Sequence, residues 1–350
     1  MKVLYNILNP YGLGADRWVY EGFKSAFTAA GHQVFPTTEV DDFRKSAEMV
    51  NPEILFLDFH ALIDYCRKVR EVPPGFFGEM KDRGTKIFCL TAVGIDREED
   101  TQEDIAFFKR YLPFLDICFS PFPPETMKNF RVMYGKETQF VPHAADTSHY
   151  FPEESDSRFV CDIAFVGSFY TQKGPQFKTM LIPLLKKYNV KVYGSGWTWQ
   201  SRFFRGLSGV GRRARLGWLV KFANARRMTI STDDERRLYA SAKICINLHE
   251  YYRDGAMKGF SNEREFKTTA SGGFLITDYL PGMERYFTLG REIVAVRSPE
   301  EWFAKIAYYL DPAHEAERKQ IQEAGTARVL REHTYSNRVK QLLDLYYAAK

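Results

Sequence analysis

Short apolar runs alternate with helix-length amphipathic segments through the first half of the chain. Val3 to Leu8, Ile54 to Phe59, Lys86 to Thr91, Ile117 to Ser120 and Gln139 to Pro142 are each apolar enough for a buried parallel strand. Between the first two, an amphipathic stretch from about Asp16 to Ala30, closed by Gly31, predicts a helix. This alternation predicts a doubly wound α/β sheet. A second series follows, with strands expected at 161–166, 190–194, 244–248, 274–277 and 293–296, and a last helix over about Tyr335 to Ala348. Pro142, Pro152 and the polar run Glu153 to Ser157 mark a linker between His143 and Arg158. The length, 350 residues, exceeds what a single core usually serves. Two domains follow, residues 1–150 and 151–332, with a terminal helix in 333–350.

Ligands of such sheets bind outside the carboxyl ends of the strands, which points in the first half to Asn9–Gly14, His60, Ala92–Asp96 and Pro121–Pro124. The Gly12-Leu13-Gly14 loop invites a dinucleotide reading, but Arg17 stands where the third glycine of that motif belongs. No acid closes the second strand either, because Thr37 and Thr38 precede Glu39. A nicotinamide enzyme is a weak alternative.

The most informative stretch is Gly259 to Asp278, which reads as loop, short helix, glycine turn and buried strand. Asn262 followed by Glu265 has the capping-box spacing, so a helix should begin at Glu263 and present backbone N–H groups beside Ser261 and Asn262. Arg264 adds a planar cation. Amide donors, helix dipole and guanidinium together favour a phosphate or diphosphate. Gly272 and Gly273 supply the helix stop. Gly167-Ser168, after the strand Ile163–Val166 and ahead of Lys173, is a second phosphate cradle or a plain turn.

The run Asn262-Glu-Arg-Glu-Phe266 followed by Ala270-Ser-Gly-Gly-Phe-Leu-Ile-Thr-Asp-Tyr-Leu-Pro281 resembles the C-terminal half of CgeB-like (spore-maturation-type) glycosyltransferases, relatives of the group 1 sugar-nucleotide transferases. Cys161 to Phe169, Val192 to Trp197, Leu310 and His333 to Arg338 fit other segments of that family in the same order. The resemblance covers roughly residues 140 to 345 and the first 140 only loosely. It implies the GT-B fold: two facing Rossmann-like doubly wound domains with an interdomain cleft, an acceptor domain first and a nucleotide-sugar donor domain second. It also implies that the terminal helix packs back on the first domain and that Gly12, Leu13 and Gly14 lie on the acceptor side. In the family a glutamate directly after the phenylalanine receives the ribose hydroxyls; this chain has Lys267, which has no acceptor. Glu263 and Lys267 then form an i,i+4 helix pair, or Glu263 or Glu265 takes the ribose, or Lys267 meets an extra anion on the donor.

Inverting transfer needs a base for the acceptor's proton. His60 and Asp96, at carboxyl ends of first-half strands, are the catalytic candidates, each with a plainer role at a helix start. Asn247 and His249 alternate with apolar residues in Ile244 to His249, so one face should line the cleft; a satisfied histidine at a domain edge is the plain alternative. His143 reads as structural.

Hydrophobic content of 45% and charged content of 27% are ordinary for a globular protein, and the five cysteines, odd in number and set in apolar runs, read as reduced core residues. No cysteine pair has zinc spacing, no metal or cofactor is expected, and no run approaches the roughly 18 apolar residues of a span. The expected location is the cytoplasm. Ser201 to Thr232 holds seven Arg, one Lys and no acid, interleaved with aromatic and aliphatic residues. That pattern suits an anionic membrane surface on the inner face, or a solvated basic face; glycines at 206, 209, 211 and 217 break a clean helical stripe. Nucleic acid is not an expected partner. The resulting reading is a metal-independent glycosyltransferase of hexosyltransferase class, acting on a lipid-linked or cell-surface glycan. The alternatives are a sugar-nucleotide epimerase or phosphorylase on the same fold, and a catalytically silent nucleotide- or membrane-binding protein.

Overall fold

The computed structural model describes residues 1–7, 15–91, 102–169, 173–214, 216–227, 230–249 and 259–348. The chain divides into two compact units. One comprises residues 1–142, 259–260 and 335–348 as far as they are described, the other 143–249 and 261–334.

The first unit runs β1 (Lys2–Asn6), α1 (Ala15–Ala29), β2 (Gln33–Thr37), α2 (Phe43–Val50), β3 (Ile54–Asp58), α3 (Phe59–Lys68), α4 (Pro74–Asp82), β4 (Lys86–Leu90), α5 (Gln102–Tyr111), β5 (Ile117–Ser120), α6 (Lys128–Tyr134) and β6 (Gln139–Phe140). Every pairing is parallel, in the order β2-β1-β3-β4-β5-β6. Strands covered on both faces must be apolar throughout, and Ile54 to Leu57 in β3 are all fully buried. Pro36, which cannot donate to a ladder, lies on the edge strand β2, where no neighbour asks for its N–H. Phe56 centres the core, its ring 4.5 Å from Tyr5, 5.0 Å from Phe23 and 5.1 Å from Phe119. Phe59, expected to end the third strand, opens α3 instead. The cause is Asp58, whose carboxylate accepts the Ala61 N–H at 3.0 Å and caps the helix one residue early.

The second unit opens with β7 (Cys161–Val166). A helical stretch follows, made of α7 (Gly174–Gln176), a π turn (Phe177–Leu181) and α8 (Ile182–Leu185). Then come β8 (Val190–Tyr193), α9 (Trp199–Arg213), α10 (Gly217–Arg227), α11 (Thr232–Ser241), β9 (Ala242–Asn247), α12 (Glu263–Ala270), β10 (Leu275–Asp278), β11 (Val294–Val296), α13 (Pro299–Leu310) and α14 (Glu315–Glu332). Its sheet is again wholly parallel, in the order β11-β10-β9-β7-β8. Ile163, Phe165, Ile244, Ile276, Trp302 and Ile306 form the centre of its core. The chain starts at β7, steps outward to β8, and returns to β9 on the other side of β7. The switch point of the sheet is therefore the carboxyl end of β7 beside β9.

The glycines in 201–232 do not prevent helix. Thr198 caps α9 by accepting the Ser201 N–H at 3.2 Å, and Gly211 lets α10 approach, since a Cβ there would meet Val220 Cγ2 at 3.0 Å. The last helix, α15 (Tyr335–Ala348), belongs to the first unit. Its Tyr335 ring fills the space beside Gly22 of α1, and Arg338 donates to the Pro142 carbonyl at 2.8 Å.

Candidate functional site

At the switch point of the second unit, two turns are fastened together. Gly167 follows β7, and Gly194 to Trp197 follow β8. The Gly167 N–H donates to Tyr193 O at 2.9 Å, and Trp197 Nε1–H donates to Gly167 O at 2.6 Å. Gly194 adopts φ +129°, and a Cβ there would lie 2.3 Å from Gly167 O, so only glycine fits. Gly167 is itself confined, because a Cβ would stand 2.8 Å from the Phe165 ring and 3.2 Å from a guanidinium nitrogen of Arg264. Ser168 follows at the same edge, half-buried.

Arg264 reaches this place from the first turn of α12. Its guanidinium carbon lies 5.6 Å from the Phe165 ring centre, and Nη1 donates to Asn247 Oδ1 at 2.5 Å. The side chain is only partly covered, and a guanidinium has five donors. It can hold Asn247 with one edge and receive an anion with the other. Asn262 caps α12 as its residue type suggests, its Oδ1 accepting the N–H of Arg264 at 3.0 Å and of Glu265 at 3.4 Å. The cap thereby occupies two donors expected to face a phosphate.

Glu265 does not serve the cap. Its Oε2 accepts from Ser261 Oγ, and its Oε1 lies 3.2 Å from His249 Nε2. On the other side of the ring, Asp278 Oδ1 lies 2.9 Å from His249 Nδ1 and accepts the His249 backbone N–H at 2.9 Å. All three side chains are buried. Burial alone would drive His249 neutral, but the Asp278 and Glu265 carboxylates outweigh it and hold the imidazole up to about 10. Both ring nitrogens are donors, and the ring is an imidazolium at neutral pH. Asn247 reaches the group through Thr277: its amide donates to Thr277 Oγ1 at 3.2 Å, and that hydroxyl donates to Asp278 Oδ1 at 3.5 Å. Asp278, Thr277, Asn247 and Arg264 thus form a continuous polar chain across the carboxyl ends of β10, β9 and β7, with His249 held against Asp278.

Other expected site residues are placed differently. Lys173 is buried and donates to Leu248 O at 3.0 Å, so its amine braces the exit of β9. Lys267 Nζ sits 2.7 Å from Glu235 Oε1 of α11, and the same carboxylate accepts from Tyr239 at 2.6 Å and Tyr150 at 3.0 Å. Glu263, the first residue of α12, is buried. Gly272 and Gly273 lie at the far end of α12, where their N–H groups bond Thr269 O and Thr268 O at 3.0 Å. An eight-residue helix, about 12 Å long, separates them from Arg264, so they stop the helix and do not join the cluster.

In the first unit, His60 is an exposed residue in the first turn of α3. Gly12, Leu13, Gly14 and Asp96 lie outside the described residues. Asp58, not singled out from sequence, ends β3 at that sheet's own switch point between β1 and β3. Burial, with Asp16 as a second cause, pushes its carboxyl up to about 6. Asp278 was also missed; its place at the end of a buried strand, two positions after Ile276, was the available signal. Among the described residues no group of three or more His, Cys, Asp or Glu is arranged to hold a metal ion, and no helix is long and apolar enough to cross a membrane.

Residues 176–344 match the model of a family described as glycosyl transferase-like. No curated protein sequence matches the chain. Among solved structures, a sucrose-phosphate synthase from Thermosynechococcus elongatus is 13% identical with a TM-score of 0.63, covering 100% of both chains. A glycosyltransferase from Rickettsia africae is 12% identical with a TM-score of 0.62, over 99% of this chain and 98% of that one. The Anabaena protein HepE, solved with UDP and glucose, is 8% identical with a TM-score of 0.62, over 99% of this chain and 100% of that one. The fold is the two-domain, Rossmann-like GT-B type.

Proposed function

We propose that the chain is a CgeB-like glycosyltransferase of hexosyltransferase class that moves a sugar from a nucleotide-activated donor to a lipid-linked or cell-surface glycan. The observation that carries this reading is Arg264, a partly open guanidinium fixed at the switch point of the second sheet between Gly167 and Asn247. Departure of a nucleoside diphosphate builds charge on the leaving oxygens, and a fixed guanidinium backed by the buried His249 imidazolium stabilises that charge without a metal. Uridine is the proposed base, because the Anabaena neighbour was solved with UDP. In the first unit, Asp58 takes precedence over His60 as the group that accepts the acceptor's proton, since a carboxyl held near 6 is an effective base at neutral pH.

Thermal-shift titration of the wild type and Arg264→Ala with UDP, other nucleoside diphosphates and their sugar conjugates tests the donor site. At about a hundredfold excess over Kd, the bound nucleotide should stabilise the wild type by about 2.7 kcal/mol. Charge-assisted hydrogen bonds contribute about 1.5–3 kcal/mol, so the variant should bind roughly 10- to 100-fold more weakly. Absence of any shift across the nucleotide panel would sink the transferase reading.

A further inference from the structure

The crossover from β8 to β9 needs one helix, and α11, packed on β7 and β9, provides it. The preceding hairpin of α9 and α10 is surplus to the sheet. It is nonetheless firmly built, with Ser208 Oγ bonded to Asn224 Oδ1 at 2.9 Å across its inner face. It is also tied to the turn after β8. Arg202 Nε donates to Gly196 O at 3.0 Å and Arg227 Nε to Ser195 Oγ at 3.3 Å, so it stands at the same sheet edge as Arg264.

Its outer face is apolar. Trp199, Phe203 and Val210 share one side of α9 by helical spacing and are 75%, 60% and 56% exposed, and Trp218 and Phe222, four apart on α10, are 68% and 41% exposed. Arg205, Arg212 and Arg213 are exposed and make no ion pair among the described residues. No Asp or Glu occurs between Asp162 and Asp233, an interval that holds thirteen Lys and Arg. A solvated basic face would not leave two tryptophans, a phenylalanine and a valine this exposed on one hairpin.

We propose that the α9–α10 hairpin docks on an anionic lipid bilayer, with Trp199, Phe203, Val210 and Trp218 entering the headgroup layer and the flanking arginines meeting lipid phosphates. Charge complementarity identifies the occupant: the surface is of one sign, and its apolar stripe matches a medium that is anionic outside and hydrocarbon within. Nucleic acid would use the arginines and could stack on the rings, but it would leave Val210 unused. Lipid satisfies the whole face, and docking there does not depend on the chemistry at Arg264.

Flotation of the full chain with phosphatidylcholine vesicles, with and without phosphatidylglycerol, tests the proposal. The wild type should float only with the anionic vesicles and show a blue shift of tryptophan emission. Arg205→Gln and Arg212→Gln should each lower partitioning about fivefold. Trp199→Ser combined with Trp218→Ser should abolish the blue shift and the binding that survives high salt. Because these side chains are exposed, the melting temperature of every variant should match the wild type. Failure to float with anionic vesicles at low salt overturns the proposal. So does flotation indifferent to both sets of variants, or binding to a single-stranded oligonucleotide without any to vesicles.

Discussion

Whether a charged side chain serves a ligand or its own fold is decided by its partners, and the sequence shows only the residue. His249 and Asn247 were legible as polar positions on a buried strand, but the two carboxylates that enclose His249 come from α12 and β10. His249→Asn strips the counter-charge from Asp278 and Glu265, and breaking such a buried pair costs about 3–5 kcal/mol. Urea melts should show that loss at pH 7. The histidine's folded value, about 10, lies above the ordinary 6.5. Its stabilisation is therefore full below about 6.5 and lost as pH rises through 10, so the gap between wild type and variant should narrow between pH 7 and pH 10. Lys267 teaches the converse. A substitution toward the resembling family, Lys267→Glu, would set a second carboxylate against Glu235, buried with Tyr150 and Tyr239. It should lower the melting temperature, and the exchanged pair Lys267→Glu with Glu235→Lys should recover part of the loss.

Elements were more legible than residues, because apolar runs and caps act locally. The ten strand positions read from the apolar pattern correspond to strands within a few residues, and the helix start at Glu263 follows from Asn262 alone. The misplaced boundary at Phe59 shows what pattern omits: an aspartate can end a strand by capping the next helix. That dual position makes Asp58 testable. Asparagine caps as well as aspartate, so Asp58→Asn should leave α3 intact. A carboxyl whose folded value is raised destabilises the fold once ionised, with the penalty setting in as pH rises from about 3.8 to about 6. Asp58→Asn should therefore raise the melting temperature at pH 7 while lowering kcat and removing the acid limb near pH 6. A variant that is both less stable and fully active would rule out Asp58 as base. The α9–α10 hairpin was the least legible element, since its glycines look like breaks until the close approach at Gly211 explains them.

At the scale of the molecule, the alternation of strands and helices announced two doubly wound sheets, whereas the membership of α15 rests on contacts distant in sequence. Tyr335, Val339, Leu342 and Tyr346 recur on one face and are almost wholly buried, and Gln341 donates to Phe140 O at 2.9 Å. Residues 1–142 alone should therefore expose apolar surface, bind a hydrophobic dye and melt with little cooperativity; a synthetic 335–348 peptide should restore a sharper urea transition. A fragment that melts sharply without the peptide would show α15 to be dispensable. The same arrangement sets an order of events during synthesis. The ribosome makes the first unit's strands before any of the second unit, yet delivers the piece that completes their core only after the second unit has emerged. The domain begun first is finished last, and for most of translation its open flank is a demand on chaperones.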